Sequence, residues 1–194
     1  MPVGKYDGLH AFVFIHRVPP GTTLRKVIGD VRRDRGLFDP EQGPVMFAAE
    51  CQGDFIGFLH LAFNEGDLKG LEDLRAGRLW DHGVRSEIAI EQTVFGAPAQ
   101  LMGPKRGSPR ACGLHKVHVE PDERPIDVLN RMDGVPGFVG ASTVSGSFDI
   151  LLEVGAEDVD SLLETSPVAA LHAIPGVERS EAAFAIIPPD EEAG

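Results

Sequence analysis

The residues best suited to chemistry lie at a turn between two β-rich runs. Residues 138–144 and 148–154 are rich in strand-forming residues, the second run alternates in polarity, and Ser145-Gly146-Ser147 between them predicts a hairpin turn. Asp149 follows the turn, and strand alternation places its carboxylate away from the apolar row that begins at Phe148. Such a carboxylate can accept the ammonium group of an amino acid, and a glycine lets a ligand approach the backbone closely. The alternative is that Asp149 caps its own turn or faces solvent.

Other residue types give weaker indications of catalysis or metal binding. His115 and His118 are three positions apart, so on a strand they would lie on opposite faces and could not share a metal ion. Four glutamates on predicted closing strands could pair as general acid and base, but exposed sheet-face carboxylates are the simpler interpretation: Glu87, Glu91, Glu178 and Glu181. No nucleophile elbow, phosphate-binding loop or dinucleotide fingerprint is present. We therefore predict no catalytic residue, no metal and no cofactor.

The elements that must position these residues occur in one order, twice. A strand at 10–18, a helix marked by Leu24, Val27, Ile28 and Val31, a hairpin at 45–63, a helix at 68–79 and a strand at 84–90 form the first set. Residues 114–187 repeat the order strand, helix, hairpin, helix, strand. Residues 52–55 align with 145–148, and 82–84 with 175–177, both at an offset of 93. The order is the split-βαβ pattern of a ferredoxin-like fold.

The second set resembles a known family. The runs at 134–139, 144–154 and 171–177 are similar to the effector-binding (RAM) domain of Lrp/AsnC-type regulators, over about residues 112–187. The resemblance implies a domain that dimerises through its sheets and binds an amino acid between dimers. It also implies ligand-binding roles for the turn residues Gly146, Ser147, Phe148 and Asp149 and for Ser180 on the last strand. The helix-turn-helix typical of that family has no counterpart here.

Composition limits the class of protein. With 42% hydrophobic residues the chain of 194 residues can bury a core, and its net charge of -12 disfavours direct binding to nucleic acid. The two cysteines, Cys51 and Cys112, lie in or beside apolar runs and are expected to be buried thiols. No signal peptide and no membrane-spanning run is evident, so we expect a soluble cytoplasmic protein.

These observations predict an α+β protein of two tandem ferredoxin-like βαββαβ units, paired as in a dimeric α/β barrel. The expected limits are 1–95 for a degenerate first unit, 96–110 for a linker, 111–187 for the RAM-like unit and 188–194 for an acidic tail. The units should pack sheet to sheet, within one chain or in a homo-oligomer. The main expectation is a non-catalytic module that senses an amino acid or related metabolite and assembles with itself or with a RAM-containing partner. The alternatives are a dimeric α/β-barrel enzyme, either an oxygenase or a haem protein with one histidine ligand, and a structural assembly protein whose ligand site has decayed.

Overall fold

The chain forms one closed antiparallel barrel of eight strands, seen in a computed structural model that describes residues 9–33, 45–63, 84–92, 111–164 and 167–186. The first half supplies β1 (Leu9–Arg17), β2 (Val45–Gly53), β3 (Gly57–Phe63) and β4 (Arg85–Glu91). The second half supplies β5 (Ala111–Val119), β6 (Phe138–Ser145), β7 (Ile150–Ala156) and β8 (Val177–Ile186). Around the barrel the order is β1-β3-β2-β8-β5-β7-β6-β4.

Short helices cover the outside of the barrel. They are α1 (Leu24–Arg33), α2 (Pro125–Leu129), α3 (Val159–Glu164) and α4 (Pro167–His172), with a 3-10 turn at Met132–Gly134. Thr23 caps α1, because its hydroxyl oxygen accepts a hydrogen bond from the Lys26 amide at 3.2 Å. Asp158 caps α3 in the same way, accepting from the Ser161 amide at 2.7 Å. Among the described helices, none is long and apolar enough to cross a bilayer.

Alternation along the strands sorts the side chains into an interior and two outer layers. A buried cluster that draws on all eight strands fills the interior and includes Phe12, Phe14, Phe58, Leu114 and Leu151. The intervening side chains point outward. In the first half they pack under α1, and in the second half they pack under α2, α3 and α4. The core of the molecule is therefore a barrel interior between two helix-covered layers.

Two short seams join the halves of the barrel. Residues 51–53 of β2 pair with residues 183–185 of β8, and residues 90–91 of β4 pair with residues 144–145 of β6. Gly53 at the first seam has a φ of 142°, and a Cβ there would lie 2.3 Å from the carbonyl oxygen of Ala182. Only glycine fits such a close approach in this conformation. The seam therefore depends on this residue type.

The expectation of two tandem ferredoxin-like units packed sheet to sheet is wrong. The edge strands of the two halves pair with each other, and one barrel results. Edge pairing satisfies backbone N–H and C=O groups that two separate sheets would leave open, and the inner faces bury one another. The predicted linker at 96–110, the acidic tail at 188–194 and the helix predicted at 68–79 lie outside the described residues.

Candidate active site inside the barrel

The turn predicted to bind a ligand is tied into the end of the barrel. The Asp149 carboxylate accepts a hydrogen bond from the Val119 amide at 2.9 Å, and the Asp149 amide donates to the Val117 carbonyl at 3.0 Å. Phe148 is buried inside the barrel, where its ring meets that of Phe14 edge to face at a centroid distance of 5.4 Å. The aspartate therefore holds β5 and the turn together in this structure.

The other residues predicted at that site are placed apart from this contact. Gly146 rests against β4, where a Cβ would lie 3.2 Å from that of Ala89. Ser147 is exposed. The Ser180 hydroxyl lies 3.3 Å from Nε2 of His172 on α4, on the outer side of the sheet, whereas Phe148 faces the interior. The structure thus groups residues 146–149 and does not bring Ser180 to them, and an amino-acid site there stays a prediction.

Aromatic rings fill the middle of the barrel. Phe14 contacts Phe55 and Phe58 at centroid distances of 5.0 and 5.3 Å, and Phe12 stacks on Phe58 at 6.1 Å. These rings come from β1, β3 and the turn before β3, and Phe148 meets them from the second half. The result is an apolar layer that separates two polar ends of the interior.

One polar end is built around a buried lysine. Lys116 is only 3% exposed, and its Nζ lies 2.9 Å from Glu87 Oε2 and 2.6 Å from Glu181 Oε2. His16 Nε2 contacts the same Glu87 oxygen at 3.2 Å. His118 Nε2 lies 3.7 Å from Glu181 Oε1. We call this group the Lys116 mouth; it comprises His16, Glu87, Lys116, His118 and Glu181.

Two residues of the Lys116 mouth, Glu181 and His118, have pKa values shifted by their surroundings. The hydrogen bond from Lys116, helped by Arg179, lowers the pKa of Glu181 from 4.5 to about 2, so this carboxylate is ionised at neutral pH. Burial, with Arg179 nearby, lowers the pKa of His118 and favours its neutral imidazole. The mouth therefore combines a cation, ionised carboxylate and neutral imidazole within a few ångströms.

The opposite end holds a second polar layer, the Cys112 layer, whose members are His10, His60, Glu91, Cys112, Ser142 and Glu153. His10 Nδ1 lies 2.9 Å from His60 Nε2 and 3.6 Å from Glu91 Oε2, and the Ser142 hydroxyl donates to Glu91 Oε1. The Cys112 thiol donates to Glu153 Oε1 at 3.1 Å. All of these side chains face the interior and are buried or nearly so.

Burial dominates the proton affinities in the Cys112 layer. It raises the pKa of Glu153 from 4.5 to about 7, against a smaller opposing effect of the Cys112 hydrogen bond. It also raises the pKa of Cys112 well above its usual value, and the Glu153 carboxylate adds to that rise. Cys51, the other buried thiol, has its pKa raised to about 12 by burial. Both cysteines are thus buried as predicted, and both are neutral thiols.

A third feature lies on the outer face of β5. His115 is completely buried under α3, and within the described ranges neither ring nitrogen has a hydrogen-bond partner. Burial lowers the pKa of His115 from 6.5 to about 4, so the imidazole is neutral at pH 7. A Cβ at Gly113 would lie 3.2 Å from its Nε2 and 3.6 Å from Leu162. His118 points into the barrel instead, as strand alternation predicts.

The comparisons with known proteins concern the fold. No protein-family model matches the sequence, and no curated protein does so either. Among solved structures, the siroheme decarboxylase NirDL with an iron-uroporphyrin III analogue aligns at a TM-score of 0.55 and 12% identity, over 91% of this chain and 70% of that one. A chlorite dismutase-like protein aligns at 0.52 and 12% identity, over 94% and 95%. An anthrone oxidase-like protein aligns at 0.53 and 11% identity, over 95% and 93%.

These likenesses establish the dimeric α+β-barrel fold and overturn the family resemblance. These three solved structures are a siroheme decarboxylase, a chlorite dismutase-like protein and an anthrone oxidase-like protein, so the assignment to Lrp/AsnC-type RAM domains and to transcription regulation is wrong. The motifs that carried it, at 134–139, 144–154 and 171–177, are a strand start, a hairpin and a helix end. Such glycine-marked features recur wherever this element order occurs, so they do not identify one family.

Sequence reasoning missed most of the buried polar residues. Glu87, Glu91 and Glu181 were interpreted as exposed carboxylates, but all three line the barrel interior, and only Glu178 of that set is exposed. Lys116 offered a signal, because it is the one lysine in the strand Ala111–Val119, whose other members are small or apolar residues and two histidines. Burying an unpaired charge is costly, so a lysine inside such a strand indicates that oppositely charged partners lie close to it.

Proposed function

We propose that this protein is a dimeric α/β-barrel haem protein in the broad sense: it binds an iron tetrapyrrole and uses His115 as the protein ligand to the iron. The observation that carries the proposal is the fully buried imidazole with both nitrogens unpartnered in the described part of the chain. Two of the matching folds support it, since one is a siroheme decarboxylase bound to an iron-uroporphyrin analogue and another is chlorite dismutase-like.

The side-chain donors of this protein suit a metal ion that is already held by a cofactor, which supplies most of the metal's ligands. Across the described residues, no group of three or more histidine, cysteine, aspartate or glutamate side chains could hold a bare ion. An iron tetrapyrrole needs only one or two axial donors from the protein, and a neutral imidazole is a common one. Because its pKa is lowered to about 4, His115 offers a free lone pair at neutral pH without first losing a proton.

The surroundings of His115 also suit the apolar body of a macrocycle. The layer between the second half of the sheet and its helices contains Val117, Val154, Leu162 and Leu171, all buried. Gly113 packs directly against this imidazole: a Cβ there would lie 2.8 Å from Val154 Cγ2 and 3.2 Å from His115 Nε2, so only glycine lets the ring lie in this position. Leu162 of α3 closes this layer, so entry of the ring requires α3 to move away from β5 and β7. A helix of six residues (Val159–Glu164) presents a small contact area to displace.

The chain itself would contribute ligation, orientation and exclusion of water. His115 would hold the iron, and the apolar side chains of β7 and α3 would keep solvent from it. The bound group would supply the redox or oxygen chemistry, which belongs to the cofactor rather than to the protein. An unpartnered buried imidazole costs about 1–3 kcal/mol in the free protein, and ligation would recover that cost.

The test is a titration of the full chain with ferric haem, monitored by the Soret band and by thermal unfolding. We expect binding with one haem per chain, a higher unfolding midpoint and a spectrum typical of imidazole ligation. His115→Ala should lose that spectrum, and added imidazole should restore it. His118→Ala on the same strand is the matched control and should bind like the original protein. Failure of the original protein to bind haem, or equal binding by His115→Ala, would refute the proposal.

A further inference from the structure

We propose that the Lys116 mouth is a proton-transfer site that enolises a planar aryl ketone, with Glu87 as the base and Lys116 as the group that stabilises the enolate oxygen. This proposal does not depend on haem binding, because the mouth faces the barrel interior and His115 lies on the other side of β5. It requires a base with a free oxygen, a cation beside it and an apolar support for the substrate, and the structure places all three together.

The two carboxylate oxygens of Glu87 differ in their hydrogen bonding. Oε2 is 2.9 Å from Lys116 Nζ and 3.2 Å from His16 Nε2, whereas Oε1 is buried and has no hydrogen-bond partner among the described residues. Buried carboxylate oxygens without a partner are rare and need an explanation. A carboxylate fixed through one oxygen is oriented, and the other oxygen can then accept a proton from a substrate.

Lys116 is placed to stabilise negative charge on a neighbouring oxygen. Its ammonium carries three N–H donors, and the two carboxylates account for two of them. One donor is left for a ligand oxygen. The group is almost completely buried, so water screens its charge little and the interaction is stronger than at a surface.

A purely structural role explains this arrangement less well. Buried ion pairs usually add little stability compared with apolar side chains of the same volume, because removing both charges from water is costly. Here one lysine contacts two carboxylates beside the aromatic layer. Leucines at these three positions would have avoided the cost of removing charges from water. Clusters of ionisable groups in such surroundings are typical of binding and catalytic sites.

The aromatic layer below the lysine indicates what kind of molecule the mouth accepts. Nζ lies 5.6 Å from the ring centroid of Phe14, 5.9 Å from that of Phe55 and 5.8 Å from that of Phe148. Flat aromatic bodies pack favourably against such rings. His16, Glu87 and Glu181 are 26%, 20% and 32% exposed, so this group lies where solvent reaches the end of the barrel interior.

The reaction is a proton transfer without oxidant or cofactor. Glu87 Oε1 takes the proton from the carbon next to the carbonyl, the C–H bond breaks, and its electron pair moves to form the enolate. The negative charge on the enolate oxygen is then balanced by Lys116, and Glu87 is left protonated. Return of a proton from Glu87 to carbon restores the ketone. In heavy water the proton held by Glu87 exchanges for a solvent deuteron before one returns to carbon, so turnover is visible as isotope exchange.

The experiment measures deuterium uptake at carbon 2 of 1-indanone, a flat aryl ketone, by NMR, with the purified full chain in deuterated buffer. We expect the original protein to accelerate exchange above the buffer rate. Glu87→Gln should reduce the catalysed rate by about 10²–10⁴-fold, and Glu87→Asp should retain part of it. Lys116→Met should reduce it by about 10²–10³-fold. Glu178→Gln, an exposed carboxylate on β8, is the matched control and should leave the rate unchanged.

Circular dichroism of each variant separates loss of chemistry from loss of folding. If Lys116→Met does not fold, Glu87→Gln decides alone, since the amide has the same shape and keeps an oxygen for Lys116. The proposal is overturned if the original protein gives no acceleration, if Glu87→Gln exchanges at the original rate, or if Glu178→Gln loses as much as Glu87→Gln.

Discussion

Replacement of Glu153 by glutamine should remove a large pH dependence from the stability of this protein. Glu153 is 6% exposed, and burial raises its pKa from 4.5 to about 7. Below pH 4.5 the side chain is protonated in both the folded and the unfolded chain. Between pH 4.5 and 7 the unfolded chain loses this proton while the folded chain keeps it, so folding becomes less favourable as pH rises.

The magnitude follows from the difference between the two pKa values. One pKa unit corresponds to about 1.4 kcal/mol, so a rise from 4.5 to about 7 corresponds to about 3 kcal/mol of stability lost over that interval. The stability that the protonated Glu153 contributes is fully present below pH 4.5. It is lost as pH rises to about 7, and the loss does not grow further above that pH. Glutamine stays neutral throughout and keeps an oxygen for the Cys112 thiol, so Glu153→Gln should lack this loss.

The assay is urea unfolding of both proteins at several pH values from 4 to 8. The free energy of unfolding of Glu153→Gln minus that of the original protein should increase by about 3 kcal/mol across the interval. Val154→Ala, the next residue on β7 with its side chain on the opposite face, is a non-ionisable control and should give a constant difference. A flat difference for Glu153→Gln would show that Glu153 is not a protonated acid inside the folded barrel.

Three further outcomes are expected. His115→Leu should make the protein less sensitive to acid. The folded protein holds the pKa of His115 at about 4 instead of 6.5, so about 3 kcal/mol of stability is lost as pH falls through that range. Urea unfolding at pH 4 and pH 7 measures the difference. Gly53→Ala should destabilise the fold by more than about 2 kcal/mol through its backbone clash, whereas Gly134→Ala, where a Cβ meets nothing within 4 Å, should have little effect in thermal unfolding. Asp149→Ala should cost about 1–3 kcal/mol by leaving the Val119 amide without its partner, and Asp149→Asn should recover most of that loss in the same measurement.

The sequence predicts the elements well because strand alternation is a local property. On β1, Phe12 and Phe14 share one face and Val13 and Ile15 the other, as their spacing predicts. Thr23, directly before α1, caps this helix, a position where threonine is favoured. These features depend on neighbours in the chain, so composition and spacing are sufficient to find them.

Choosing which face turns inward needs information that the spacing lacks. On β8, Ala183 and Ala185 face the interior, whereas Phe184 packs with the helix layer. Both faces of this strand are apolar, so alternation does not distinguish them. Phe148 was expected on the face of Ile150. It lies inside the barrel instead, because β7 begins at Ile150 and Phe148 belongs to the turn.

Barrel closure also explains why the candidate sites were hard to find. Glu153 shares a face of its strand with Leu151 by alternation, and that face is buried only because the first half of the barrel covers it. The same holds for Glu87, which meets Lys116 across strands that are distant in the chain. Contacts of this kind depend on which strand edges meet, and no local pattern encodes that choice.

The two short seams of the barrel bear on the order in which it assembles. Pairing within each half is extensive, since β1 pairs along β3 and β4, and β5 along β7 and β8, whereas the halves meet only at residues 51–53 with 183–185 and 90–91 with 144–145. Contacts between residues close in the chain form before those that must close long loops. The β2–β8 seam joins the residues that are farthest apart in the chain among the strand pairs described, so we expect it to close last. The Lys116 mouth and the Cys112 layer take members from both halves, so their charged groups lose their remaining water only when this seam closes.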